Sequence, residues 1–269
     1  MSTRYKSGIL ALGLAAALAG CSGSGGDVKA VLGGVSGATD RTSKGEPRVT
    51  DLQGRTTRVS NAGNDTWRVD TGDYDKDWDN GDVSSTPGNV TVYTKGAGRD
   101  VLRVDEDSLD HARFGSWLRT SGPEGTGTAE EAGGFVVSTS GLRGDDIPGQ
   151  GTATYAGTVE GNYLNATGAE RLTGTMRASA DFSDKTVSTT LDVRSDSVSD
   201  TIASGLARID TDTALGTRVG KFETNAATSA NGFAGRLGGS FFGSNAKEIG
   251  GTFDLRQNDE RYIGAFGGD

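Results

Sequence analysis

The sequence predicts an all-β protein: an antiparallel, up-and-down β-barrel of roughly eight strands at the C-terminus, preceded by a small β-rich or partly irregular segment. Three observations carry this. From Ala112 onward apolar residues recur with a period of two, and glycines fall in register within that alternation. No stretch has the period of an amphipathic helix, apart from a single turn's worth at Asp200–Leu206.

Taken in order, the chain divides into a leader (1–20), a modified cysteine with a tether (21–27), the weakly apolar segment (28–110) and the barrel (111–269). The leader places Arg4 and Lys6 before an apolar run from Ile9 to Leu18, then small residues Ala19 and Gly20 before Cys21. That is a secretory signal, its apolar run too short for the about 20 residues that span a bilayer. Small residues leading to the chain's single cysteine form a bacterial lipobox, so Cys21 is the expected lipidation site and acyl chains such as palmitate the expected membrane anchor. Ser22 directly after it is compatible with outer-membrane sorting. Residues 22–26 are serine and glycine alone, a flexible tether.

Without the leader, 25 Lys and Arg face 36 Asp and Glu, a net charge of −11. Such a surface disfavours nucleic acid, whose binding is dominated by phosphate contacts. It equally disfavours electrostatic adhesion to anionic lipid.

Residues 28–110 read as turn-rich, with short strands at 66–69, 89–94 and 100–104. All nine phenylalanines lie at Phe114 or beyond, which assigns the core to the second part. There, one face of Leu172–Phe182 carries Leu172, Gly174, Met176, Ala178, Ala180 and Phe182, and Val187, Thr189, Leu191 and Val193 resume the alternation after Ser183-Asp184-Lys185, as in a hairpin. The same alternation runs through Thr152–Val159, Phe233–Phe241 and Ile249–Leu255, and Tyr262–Phe266 closes the series. Gly157, Gly174, Gly235, Gly251 and Gly264 share a face with large apolar neighbours, as expected where a strongly curved sheet crowds its inner side. Closure into a barrel also removes exposed strand edges.

The run from Gly239 through Phe241-Phe242-Gly243-Ser244-Asn245-Ala246-Lys247-Glu248-Ile249-Gly250-Gly251 to Phe253, with the closing Gly264-Ala265-Phe266-Gly267-Gly268, resembles the end of the β-barrel domain of bacterial transferrin-binding protein B. Factor H binding lipoproteins have a related, looser ending. Ala112–Trp117 and Pro148–Gly157 are similar to the first and third barrel strands of that family. The resemblance implies an outer-membrane lipoprotein, displayed at the cell surface by a dedicated translocator, that binds a host protein or an iron- or haem-bearing ligand and is not an enzyme. It assigns no binding residue. On the residues alone, a lipocalin-like small-molecule carrier and a structural envelope protein without a ligand stay open.

Few residues invite catalysis or metal binding. His111 is the sole histidine, which excludes multi-histidine metal sites and leaves a lone haem ligand or, on the reading preferred here, an exposed strand edge. Asp75, Asp77 and Asp79 offer oxygen ligands at alternate positions, but the glycine and glutamate that an EF-hand requires are misplaced, so Ca²⁺ yields to a solvated acidic loop whose aromatics cover the barrel. Adjacent Glu130 and Glu131 point apart in a strand and make no carboxylate pair. No catalytic residue, cofactor or metal site is assigned.

Overall fold

The computed structural model describes residues 31–41, 47–51, 58–61, 66–71, 74–125, 127–138, 147–210 and 220–269. The leader, Cys21 and the tether lie outside them.

Eight strands close the barrel: β11 (Thr152–Asn165), β12 (Gly168–Asp181), β13 (Thr186–Arg194), β14 (Ser199–Asp210), β15 (Lys221–Ser229), β16 (Ala234–Phe242), β17 (Glu248–Gln257) and β18 (Glu260–Gly268). Each pairs antiparallel with its successor, and β18 returns to β11 through Val159↔Phe266 and Tyr163↔Tyr262. Inward residues build one core around Phe241, whose ring lies 5.5–5.8 Å from those of Tyr155, Phe182 and Phe222. The barrel is filled by side chains, as a narrow eight-stranded barrel should be.

Ahead of it lie β1 (Val31–Arg41), β2 (Pro47–Asp51), β3 (Arg58–Asn61), β4 (Trp67–Asp70), β5 (Asp75–Trp78), β6 (Val83–Ser85), β7 (Val90–Lys95), β8 (Asp100–Asp105), β9 (Ala112–Thr120) and β10 (Ala129–Ser138). Seven make an open sheet in the order β2-β1-β10-β9-β8-β7-β6; β3-β4-β5 make a small second sheet.

This corrects the sequence reading in four places. Ala112–Thr120 and Ala129–Ser138 belong to the open sheet, because β9 pairs with β8 and β10 with β1, so the barrel begins at Thr152 and not near 111. The two strands that complete the eight are β14, in which Asp200–Leu206 is extended and not a helical turn, and β15. The N-terminal part has a core of its own, in which Trp67, Tyr74, Trp78 and Tyr93 pack with Trp117 and Phe135. Those aromatics therefore cover the open sheet and not the barrel.

The five inward glycines have a common cause. A Cβ at Gly157 would run into the carbonyl of Gly267, and one at Gly174 into that of Asp192; Gly235, Gly251 and Gly264 meet neighbouring-strand carbonyls likewise. Strong coiling brings strands closer at these points than any side chain allows. Gly157→Val is accordingly expected to lower stability by about 3 kcal/mol or more, at the upper end of overpacking, measured by urea denaturation. A loss under about 1 kcal/mol contradicts backbone contact there.

One barrel turn is held by charge. The hydroxyls of Ser195 and Ser197 and the Ser197 amide all donate to Glu170. Partial burial works to raise the Glu170 pKa, but these donors outweigh it, and the carboxyl titrates below its ordinary value. A depressed carboxylate stabilises the fold above the unfolded pKa and loses that contribution as pH falls through the folded one. The Ser197 amide resonance should therefore titrate with an apparent pKa below that of a free glutamate; a midpoint at or above it would disprove the clamp.

Candidate functional site

Asp75 and Asp77 lie on β5 and flank Arg68 of the neighbouring β4, with Arg68 Nη2–Asp75 Oδ2 at 2.5 Å and Arg68 Nε–Asp77 Oδ1 at 3.8 Å. Asp79 instead caps the 3₁₀ turn Asn80–Asp82: its Oδ1 accepts from the Gly81 amide at 2.8 Å, and Asp82 Oδ2 accepts in return from the Asp79 amide at 2.9 Å. The three carboxylates are thus engaged separately, by a guanidinium and by backbone, and do not converge.

That reciprocal cap begins an exposed rim at the far edge of the open sheet. Lys95 Nζ lies 2.9 Å from Asp82 Oδ2, and β6 pairs with β7 alone among the described strands. Burial opposes ionisation of Asp82, but the Asp79 amide and Lys95 more than compensate and hold its carboxyl below the usual range. Behind the rim, Glu106 gathers three donors: Trp67 Nε1 at 2.9 Å, Thr91 Oγ1 at 2.8 Å and the Tyr93 hydroxyl at 3.0 Å. Residues 84–89 are exposed, yet the chain on both sides of them is fixed.

The other side of the open sheet lies on the barrel's outer wall. Leu109, Ala112, Phe114 and Val136 pack on Phe242 and Ala265, and Leu118, Ala129 and Ala132 pack on Leu164, Ala169 and Ile263. Gly134 meets the Gly264 backbone so closely that a Cβ could not be placed between them. Polar groups of the wall that the sheet covers find partners across the seam, as buried charges must. Arg103, 2% exposed, contacts Glu124, bonds Asn162 Oδ1 at 3.3 Å and lies 3.7 Å from Glu160, while Arg171 takes Glu160 bidentately at 2.9 and 2.7 Å. Asn162 Nδ2 donates to the Trp117 carbonyl at 3.1 Å.

His111 stands at this seam, half-buried, one residue before β9 and not at a sheet edge, since β9 lies between β8 and β10. The amides of Asp110 and His111 both donate to the buried Glu248 carboxylate, at 2.8 Å and at 3.0–3.2 Å. Sequence reasoning missed Arg103, Glu160 and Glu248. The available signal was Tyr262–Gly268, a strand apolar or small on both faces, which implies cover on the outside as well as the inside.

Inside the barrel Tyr155 is tied to the Ala246 carbonyl at 2.7 Å, and burial pushes its hydroxyl up to about 12. A groove of about 470 Å³ runs instead along the outer wall, between outward residues such as Thr154, Arg177, Ser179 and Thr190.

Residues 147–269 match the family model described as the C-lobe and N-lobe β-barrels of Tf-binding protein B. The barrel is thus similar to those of transferrin-binding protein B. Among solved structures, a variant of transferrin-binding protein B from Haemophilus parasuis Hp5 superposes with a TM-score of 0.54 at 14% identity, covering 89% of this chain and 45% of that one. Intact Ap-TbpB, with its N and C lobes, gives 0.51 at 15% identity, covering 87% and 46%. These likenesses concern the fold, and the chain spans less than half the length of either protein. The comparison with curated proteins returns no match. Among the described residues, the open sheet and the small β3-β4-β5 sheet both lie outside the matched range.

The seam yields its own prediction. Arg103→Met removes a partner from the buried Glu160 and from Asn162 and is expected to cost about 3 kcal/mol, as breaking a buried pair does. Denaturant unfolding measures it, and a cost below about 1 kcal/mol would show that Arg171 alone satisfies Glu160.

Proposed function

We propose that the chain is a lipid-anchored, non-enzymatic lipoprotein of the outer membrane, displayed at the cell surface, that binds a host protein or an iron- or haem-bearing ligand. The observation that carries this reading is the transferrin-binding protein B barrel at residues 147–269. The filled barrel interior supports it further, since a ligand inside would have to displace Phe241 and its neighbours. Binding then falls to the outer surfaces, and the exposed rim at residues 84–89 is the best supported: it is braced at both ends and stands at the sheet edge away from the barrel. A strand edge with unpaired backbone groups also suits capture of an extended segment of a partner. Cys21, acylated, supplies the anchor, and an outer-membrane translocator supplies display.

Immobilised on beads, the protein should retain one component from host serum, iron-loaded transferrin or haem, and Ser85→Arg with Thr86→Arg should cut retention at least tenfold without changing the melting temperature. Retention of nothing favours a structural envelope protein; retention that the double variant leaves unchanged moves the site off the rim. In cells, Cys21→Ala should release the chain from the membrane fraction, and protease added outside should digest the wild type.

A further inference from the structure

We propose that Asp110, His111 and Glu248 bind a divalent transition-metal ion of the zinc class at the seam between the open sheet and the barrel. Among the described residues, this is the group of three potential metal ligands whose donor atoms all lie within 4.8 Å of one another, Asp110 exposed, His111 half-buried and Glu248 buried. Two come from the connection between β8 and β9, and the third opens β17. The fold, not the sequence, brings them together.

Two of the three donors are positioned by contacts that need no ion. Glu248 is 1% exposed, its backbone is paired with Phe242, and the amides of Asp110 and His111 fix its carboxylate. A carboxylate has about four lone-pair sites, so these amides leave capacity for a metal. The His111 ring packs against Gly243, which has φ of +72° and where a Cβ would stand 3.0 Å from His111 Nε2 and closer still to Cδ2. A side chain at 243 would therefore displace the imidazole. An ion held at about 2.1 Å by nitrogen and oxygen needs its donors roughly 3.4 Å apart, so donors that all lie within 4.8 Å of one another need to close by at most about 1.4 Å. One imidazole and two carboxylates select zinc and its first-row neighbours over calcium or magnesium, which prefer oxygen alone, and the two carboxylates neutralise the dication.

Lys247 competes. Its ammonium lies 2.6 Å from Asp110 Oδ2, and this hydrogen bond, with the charge behind it, holds the Asp110 carboxyl below its usual range. Both side chains are exposed, so the ammonium can leave on its flexible stem when an ion arrives. The ion would then join the β8–β9 connection to β17, reinforcing the seam.

Because His111 is the only histidine, the test has a clean readout. Full-length chain in detergent, without a histidine tag, is titrated with ZnCl₂ while the single imidazole is followed by ¹H–¹⁵N NMR. Saturable one-to-one binding that shifts both ring nitrogens is expected. His111→Gln and Asp110→Asn should each weaken Zn²⁺ binding at least about tenfold by calorimetry, while Lys247→Ala tightens it several-fold. Asp110 and Lys247 are exposed, so those two variants should keep the wild-type melting temperature in EDTA. An imidazole unmoved at millimolar Zn²⁺, or an affinity that His111→Gln leaves unchanged because the ion sits elsewhere on the acidic surface, would overturn the proposal.

Discussion

Closing eight strands into so narrow a barrel forces backbone against backbone, and every other feature of the molecule follows from how that crowding is resolved. Where a Cβ would meet the carbonyl of the next strand, as at Gly157, Gly174 and Gly251, only glycine leaves the hydrogen-bonded ladder intact. The entropic penalty of glycine within strands is offset by a closed ladder with no exposed edge. At Gly251 and Gly264 the space a side chain would need is taken up by the rings of Phe266 and Phe253, so curvature and core packing are two sides of one solution.

A filled barrel has consequences for where function can lie. A ligand inside would have to unpack aromatics, which leaves the outer surface, and the outside is unequal. The wall formed by β11, β17 and β18 is covered by the open sheet, and its buried Glu160, Asn162, Asp254 and Glu248 need partners. Arg103 and the amides of Asp110 and His111 do so from the sheet, and Arg171 and Arg261 from the barrel itself. The sheet is thereby anchored at one side and free at the other, where the Asp79 cap and the Lys95–Asp82 pair hold the rim at 84–89 in place.

How much of this the sequence disclosed depends on whether the information was local. The hairpin of β12 and β13 was legible because its inner face is large and regular, from Leu172 to Val193. At β14 the alternation is broken: a bulge against Ser188–Thr190 shifts its phase at Gly205, leaving Leu206 77% exposed, and the irregular spacing mimics a helical turn. The strands at 112–120 and 129–138 are buried on both faces over most of their length, and nothing local assigns them to the open sheet, because their partners β8 and β1 are chosen by long-range pairing. Trp67, Tyr74, Trp78 and Tyr93 are too few in sequence to announce a core, yet Trp117 and Phe135 complete one with them. His111, Asp110 and Glu248 meet across 137 positions of sequence, beyond the reach of any spacing argument.

The filled barrel is the claim on which this assignment of function to outer surfaces rests. It is tested most directly by titrating the purified chain with an apolar fluorescent probe and a long-chain fatty acid while recording the methyl resonances of Met176, Leu191 and Leu237, which line the interior. The account predicts no saturable binding and no movement of those methyls. One-to-one binding at micromolar concentration that shifts them would contradict it and restore the barrel as a carrier.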